Sequence, residues 1–566
     1  MVNERLEKLI SDALKAIGIE AEGITLEHPK DPTHGDFATN VALLYSKKAG
    51  ISPREMAEKL VAEIEKLASK DIASVEIAGP GFINFRLSEE YFSNALHDTL
   101  RAEESWGKNE TLAGKKVIVE YTDPNPFKEF HIGHLMSNAI GESISRLIEV
   151  SGAETKRACY QGDAGLHVAL AITYAKEENI SWQDASDFGV AYSGGAKRYK
   201  EDELFKSRVI DTNKKIYERT DPEINTLYDT GLKLSLEYFE TIYKKLGTAH
   251  GGDGRGFDYY FFESVTGVLG KKVVEENLGT IFEKSEGAIV YKGDESKGLH
   301  TRVFINKEGL PTYEAKELGC AKIKYDTYPY DISIVITGNE VNEYFRVLLA
   351  AMAEVFPDLA QRTEHFSHGM LRLPTGKMSS RTGDVITAES LLEDVKVRAM
   401  EKIKESDIPQ KEKEEVADKV ALGAVKYSIL RQASSKDTIF DFEQSLSFEG
   451  DSGPYLQYTF ARTHSLLEKA MGHIVDPFAR KTEVNLLHKY LLRFPEIVLR
   501  ASEEREPHHI ATYLIEVARE FNSFYGNTMV LDGAVDEPYK LALVKATSQT
   551  LKNGLELLGI PTPERM

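Results

Sequence analysis

The chain has 566 residues, too many for one ordinary domain at about 100–200 residues each, so three or four are expected. Hydrophobic residues make up 42% and charged residues 28%, which excludes a disordered polymer. The net charge of −20 argues against a general nucleic-acid binder but leaves room for a local basic surface.

The first stretch opens with a helix, in which Leu6, Leu9, Ile10, Ala13, Leu14 and Ile17 recur at helical spacing until Gly18 stops it. A second helix runs near 53–67, and 23–26 and 81–87 read as strands, so residues 1–112 form a small α+β domain. Next, Lys116-Val117-Ile118-Val119-Glu120-Tyr121 has the character of a buried parallel strand. A loop with Pro and Asn, a helix over about 132–150 and a strand over 155–160 follow, ending at Gln161-Gly162-Asp163. This β-loop-α-β order begins a doubly wound α/β nucleotide-binding sheet, expected to span 113–385. An insertion is expected around 175–280, mostly polar and helical over its first part, with the sheet resuming at 288–291 and 331–336. From about 386 to 566 nearly everything has helical periodicity.

Cys159 and Cys320 lack Cys or His partners at zinc-ligand spacing, so neither a metal site nor a disulfide framework is expected. With no signal-peptide pattern and no apolar run of about 18 residues, the chain reads as cytoplasmic and without a membrane span.

Two segments carry chemistry. His131-Ile132-Gly133-His134 lies between the first parallel strand and its helix. A helix N-terminus attracts phosphate, Gly133 leaves room for a base or ribose, and both histidines can donate to phosphate oxygens as charge builds there. Gly376-Lys377-Met378-Ser379-Ser380-Arg381-Thr382-Gly383-Asp384 is a glycine-bounded polar loop with two cations, suited to closing over a triphosphate. The pair admits a synthetase, a small-molecule adenylyltransferase or a non-catalytic paralogue.

The two segments resemble the HIGH and KMSKS signatures of class I aminoacyl-tRNA synthetases. Within that class the chain resembles the arginyl-tRNA synthetase family along almost its whole length. The resemblance is carried by Val119-Glu120-Tyr121-Thr122-Asp123-Pro124-Asn125, Gln161-Gly162-Asp163-Ala164-Gly165, Tyr313-Glu314-Ala315-Lys316-Glu317-Leu318-Gly319, Gly423-Ala424-Val425-Lys426-Tyr427 and the C-terminal Leu557-Leu558-Gly559-Ile560-Pro561. Gly35-Asp36-Phe37-Ala38-Thr39-Asn40 matches that family's extra N-terminal domain.

The resemblance implies ATP-dependent activation of arginine and its transfer to tRNA(Arg), with Mg²⁺ expected on the ATP. It implies a Rossmann-type catalytic domain, an N-terminal domain at the tRNA elbow and an all-α anticodon-binding bundle, in a monomer. By the same resemblance Glu120, Asn125, Tyr313, Glu317 and Glu340 hold arginine, and His131, His134, Gly338, Met370, Lys377 and Ser379 hold ATP. Phe37, Asn40, Tyr455, Gln457, Tyr458 and Arg462 contact tRNA. Catalysis falls to Lys128, His131, Gly133, His134, Lys377 and Arg381. Three positions depart from the family pattern: Ser380 replaces a lysine, Glu317 an aspartate and Glu340 a glutamine. Lys128, three residues before His131, is implied to supply the cation that Ser380 lacks.

Overall fold

The computed structural model describes residues 2–248, 251, 253–373, 386–406, 408–479 and 484–566. They cluster into two compact units, Met1–Trp106 with Arg462–Pro495 and Glu516–Leu551, and Gly107–Ala461 with Glu496–Ile515 and Lys552–Met566.

The first unit contains α1 (Val2–Ala16), β1 (Leu26–Glu27), β2 (Phe37–Thr39), α2 (Val41–Ala49), α3 (Pro53–Leu67), β3 (Ile72–Ala78), β4 (Phe82–Leu87) and α4 (Glu89–Ala102). Its sheet is antiparallel in the order β1-β2-β4-β3. Ser52 caps α3 by accepting the Glu55 amide, and Pro53 sits at the first turn where no amide is needed. Met56, Leu60 and Ile64 then bury one stripe of α3 against Leu6, Ile10 and Leu14 of α1 and Phe85 of β4.

The second unit is built on a five-stranded parallel sheet. Its strands are β5 (Lys116–Glu120), β6 (Glu154–Gln161), β7 (Tyr259–Phe262), β11 (Ile332–Gly338) and β12 (Thr363–His368), in the order β12-β11-β5-β6-β7. The chain winds outward from β5 through β6 to β7, then returns to the other side of β5 for β11 and β12. The reversal makes β5 and β11 the switch point, where the ends of the strands open a crevice. Helix α5 (Ile132–Val150) crosses from β5 to β6.

Four helices follow β6: α6 (Leu166–Glu178), α7 (Ala185–Glu201), α8 (Glu203–Glu218) and α9 (Pro222–Leu246). Asp184, Asp202 and Asp221 cap the last three, each accepting a backbone amide of the first turn. Phe127, Phe188, Phe205 and Tyr228 lie in the core of this insertion. Helix α10 (Glu263–Glu276) leads to β8 (Phe282–Ser285), β9 (Ala288–Tyr291) and β10 (Arg302–Ile305), then α11 (Tyr313–Thr327), β11 and α12 (Asn342–Val355).

Two expectations are corrected here. Residues 288–291 do not resume the parallel sheet; they are β9, the middle strand of a separate antiparallel sheet. The turn before β9 places Glu286 and Gly287 both at positive φ, as a tight hairpin requires, and a hairpin joins antiparallel neighbours. The parallel sheet resumes earlier, at β7, inside the span read as insertion. Short apolar runs do not reveal which sheet they join.

Beyond 386 the chain is helical as expected, with Ala388–Lys402, Lys413–Leu430, Gly453–Lys469, Phe494–Glu504, His508–Asn527 and Glu537–Leu557. A two-residue strand, Thr438–Ile439, interrupts it and pairs with Leu371–Arg372. No described helix is long and apolar enough to cross a membrane.

Helices α10 and α11 touch backbone to backbone. A Cβ on Gly270 would overlap the Ala315 carbonyl, and one on Gly319 would overlap that of Thr266. Gly319→Ala should therefore cost about 1–3 kcal/mol in urea unfolding, the range for overpacking. Gly526→Ala, on a helix with open space at that position, should be neutral or stabilising.

Candidate active site

A cleft of about 810 Å³ opens at the switch point. Its walls include Glu120, Asp123 and Asn125 after β5, His131, Gly133 and His134 at the start of α5, Tyr313 and Glu317 on α11, and Gly338, Glu340 and Met370 beyond β11. The expected arginine ligands and the ATP-contact residues among the described positions thus meet in one place. Lys377, Ser379, Ser380 and Arg381 lie outside the described residues.

His131 caps α5 with its ring. Its Nδ1 accepts the Gly133 amide at 3.1 Å, while His134 Nδ1 accepts the His131 amide at 3.3 Å. The rings stack with centroids 3.6 Å apart. Each Nδ1 is an acceptor, so each neutral ring carries its proton on Nε2. Burial, with the Lys128 charge nearby, pushes His131 down to about 4. Burial and His131 push His134 well below the ordinary histidine value. The helix start therefore presents two neutral N–H donors. A Cβ on Gly133 would lie 2.9 Å from the His131 ring, so the glycine also lets the capping ring fold back.

The loop from β5 to α5 is strained. Thr122, Asp123 and Phe127 all have positive φ, at 79°, 43° and 65°. Such conformations persist only when the surroundings enforce them. Here Thr122 N donates to Ser137 Oγ at 2.9 Å and Phe127 N to Ser235 Oγ at 3.0 Å. Ile132 N donates to the Ile386 carbonyl at 3.2 Å, and Ala388 N to that of Phe130 at 2.8 Å. Tyr160 N donates to Asp123 Oδ1 at 2.7 Å. Beside this loop Gly162 leaves room for the Asn125 side-chain oxygen, which a Cβ would strike.

The cleft is acidic. Three of its carboxylates are paired: Glu120 with Lys324 at 2.8 Å, Glu263 with Lys316 at 2.5 Å, and Glu314 with Arg302 at 3.9 Å. Glu120 and Lys324 are 1% and 2% exposed, so this pair is sealed beneath the floor. Asp123, Glu317 and Glu340 also line the cleft, and among the described residues none of them makes an ion pair. Burial and the neighbouring Glu120 push Glu317 up to about 8, and the same two causes raise Asp123 well above the carboxylate range.

Lys128 stands apart from the cleft wall, its ammonium 4.1 Å over the ring of Tyr192 on α7. Tyr313 is 60% exposed, with Lys316 5.2 Å over its ring. Of the residues expected at tRNA, Phe37 is in the core of the small sheet beside His28, and the Asn40 side-chain oxygen is buried without a hydrogen bond. Gln457 is fully buried, and its amide nitrogen donates to the Lys419 and Pro561 carbonyls at 2.9 and 2.8 Å. Tyr455 is half-buried, Tyr458 meets Phe448 edge-on, and Arg462 donates to Asn522 and lies over Tyr525. Sequence reasoning missed Lys324 and Asp123. Asp123 stood in a quoted motif, but nothing in the sequence marked its carboxylate as unpaired; Lys324 had no signal beyond helical spacing from Glu317.

A parallel sheet that delivers a histidine-capped helix and several carboxylates to one switch-point cleft is a doubly wound nucleotide-binding architecture. The family model for the catalytic domain of tRNA synthetases class I (R) matches residues 96–442, and the chain belongs to that family. The model of the DALR anticodon binding domain matches 456–566, and that of the arginyl tRNA synthetase N-terminal domain matches 4–87. The chain is 30% identical over 600 residues to the arginine–tRNA ligase of Pseudomonas entomophila, covering 100% of both. It is 30% identical over 574 residues to that of Treponema pallidum, covering 97% of this chain and 96% of the relative. Among solved structures, Thermus thermophilus arginyl-tRNA synthetase matches over the full length of both chains, with a TM-score of 0.75 and 26% identity. The Plasmodium falciparum arginyl-tRNA synthetase, at 20% identity and a TM-score of 0.79, shares the fold.

The capping rings make a pH prediction. His131 binds its proton near 6.5 when unfolded and only near 4 when folded. Its stabilising contribution is present above 6.5 and is lost as pH falls towards 4. His131→Asn, which retains a good cap, should flatten that part of the stability–pH curve in denaturant titrations. A curve identical to wild type would show that His131 is not held neutral.

Proposed function

We propose that the chain is an arginine–tRNA ligase, which joins arginine to ATP as arginyl-adenylate and then transfers it to the terminal adenosine of tRNA(Arg). The observation that carries this reading is the cleft itself, where neutral N–H donors at a helix start face unpaired carboxylates. A guanidinium is planar, permanently charged and rich in donors, so its site must supply acceptors and negative charge. Asn125, Tyr313, Glu317 and Glu340 line the cleft for that purpose. Glu120 acts from beneath, its charge already met by Lys324.

In the first step the arginine carboxylate attacks the α-phosphorus of ATP, the P–O bond to pyrophosphate breaks, and negative charge builds on the phosphate oxygens. The Nε2–H groups of His131 and His134 donate to those oxygens, as does the helix N-terminus they cap. Gly338 and Met370 fall on the adenosine side, and Lys377, Ser379 and Arg381 are assigned to the triphosphate. Mg²⁺ arrives as part of the ATP substrate. In the second step a ribose hydroxyl of the tRNA attacks the adenylate carbonyl and AMP leaves. No protein nucleophile is needed.

Three modules serve this scheme: 1–112 at the tRNA elbow, 113–385 for catalysis and 386–566 for the anticodon. Tyr455, Tyr458 and Arg462 are the anticodon-side candidates, with Gln457 shaping the helix packing beneath them. Phe37 and Asn40 shape the small domain. A monomer working in the cytoplasm completes the reading.

Charging of tRNA(Arg) with radiolabelled arginine, alongside ATP–pyrophosphate exchange with that tRNA present, tests the proposal. Arginine should be accepted and lysine rejected. His134→Ala should lower exchange about ten- to a thousandfold, the range for losing a donor to a developing oxyanion, with little change in arginine affinity. Wild-type exchange in that variant would remove His134 from the chemistry.

Lys128 calls for a separate test. Its ammonium rests on Tyr192 and is close enough to burden both histidines. Moving from the ring to the triphosphate, it supplies the charge that Ser380 lacks. Lys128→Ala should cost about 2–4 kcal/mol in single-turnover adenylate formation, comparable with other lost transition-state contacts. Adding Ser380→Lys should restore part of the rate. A Lys128→Ala rate equal to wild type would leave Lys377 and Arg381 to carry that charge.

A further inference from the structure

We propose that Asp123 is a specificity-determining residue of the arginine site, holding the substrate guanidinium together with Glu317. The proposal rests on the arginine-ligase reading and adds a ligand to it.

Six carboxylates line the cleft, and Lys324, Lys316 and Arg302 engage Glu120, Glu263 and Glu314. Among the described residues Asp123, Glu317 and Glu340 make no ion pair. Glu340 lies beyond β11, on the far side of the switch point from the β5 loop. Asp123 and Glu317 line the same cleft as Glu120, whose charge raises each of them, and Glu317 raises Asp123 further. Two unpaired carboxylates crowded into a half-buried floor repel one another, so an empty site must keep a proton there. A single cation with several donors relieves both. The guanidinium suits this better than an ammonium because its planar fork can bridge two carboxylates.

The backbone supports the assignment. Asp123 is held at a φ of 43°, a region that aspartate enters more readily than most residues, and Tyr160 N–H fixes its Oδ1 at 2.7 Å. An ordinary loop aspartate would turn to water. This one is pinned by the Tyr160 amide and lines the cleft.

Asp123→Asn keeps an oxygen for the Tyr160 amide and removes only the charge. The KM for arginine in tRNA charging should rise about ten- to a hundredfold, the usual cost of a lost charge-assisted hydrogen bond, with a smaller change in kcat. The inhibition constant of citrulline, the neutral isostere, should stay the same or improve. An arginine KM within about twofold of wild type, or equal weakening of both ligands, overturns the proposal. If Asp123→Asn gives no cooperative melting transition, Asp123→Ser, which also offers an oxygen to Tyr160, is judged by the same criteria. Wild-type charging is measured first. Failure there sinks the arginine-ligase reading, whereas normal wild-type charging with an unaffected variant sinks the Asp123 assignment alone.

Discussion

The turn from β5 into α5 holds three non-glycine residues in the left-handed region, and the cleft is organised around it. Left-handed backbone costs on the order of 1–3 kcal/mol at a residue with a Cβ, most of all at a β-branched one such as Thr122. The turn survives because other elements grip it. Ser137 and Asn138 of α5 hold Thr122, Ser235 of α9 holds Phe127, and the strand-like contact of His131 with Thr387 closes its far end. The grip has a chemical result. It carries Glu120, Asp123 and Asn125 round one side of the crevice and brings His131 onto the helix axis on the other. The insertion is thereby part of the site's foundations, since α9 supplies one of the anchors.

Charge is organised with similar economy. The chain is strongly acidic overall, yet its cleft does not merely collect carboxylates. Lys324 and Lys316, about two turns apart on α11, pair with Glu120 and Glu263. A buried carboxylate without a partner would take up a proton instead of remaining charged. Pairing holds Glu120 and Glu263 in place and leaves the other cleft carboxylates for whatever enters. Helix α11 therefore has two duties. Lys316 and Lys324 supply the counter-ions, while Tyr313 and Glu317 line the cleft itself. Its backbone contact with α10 through Gly270 and Gly319 fixes the height at which those side chains stand.

Much of this was legible in the sequence, for identifiable reasons. The run 116–121, the histidine motif and the glycine-bearing end of β6 are local signals, since strand character, helix capping and close approach are written in neighbouring residues. Pairing between distant strands is not local, so 288–291 read as part of the main sheet while β7 was hidden in the insertion. The cap itself was only half visible. Histidines near a helix start suggest phosphate contact, but the reciprocal use of both Nδ1 atoms, which fixes the proton on Nε2, needs the geometry. Lys324 was invisible for a similar reason: a lysine on a helix is usually solvated, and only the fold reveals that its ammonium is buried against Glu120. Gln457, placed at tRNA by the resemblance, is buried, and its amide serves two carbonyls, a packing contact that no local signal marks.

The same helix that presents the histidines is held from behind by the end of the chain. The last helix leaves carbonyls that no further turn can satisfy, and side chains of the catalytic unit meet them. Arg146 and Ser143 of α5 donate to Glu556 and Leu557 at 2.9 and 2.8 Å. Lys426 donates to Gly559 and Gln457 to Pro561, both at 2.8 Å. On its inner face α5 places Glu142 between Arg157, Arg146 and the hydroxyl of Tyr121, the residue after Glu120. Burial opposes that charge, but Arg157 and Arg146 outweigh it and hold Glu142 down to about 2. A shift of the C-terminal turn would therefore pull on Arg146, and through Glu142 on Tyr121 and the floor of the cleft. The β5 loop, the histidine-capped helix and the final turn are physically one chain of contacts.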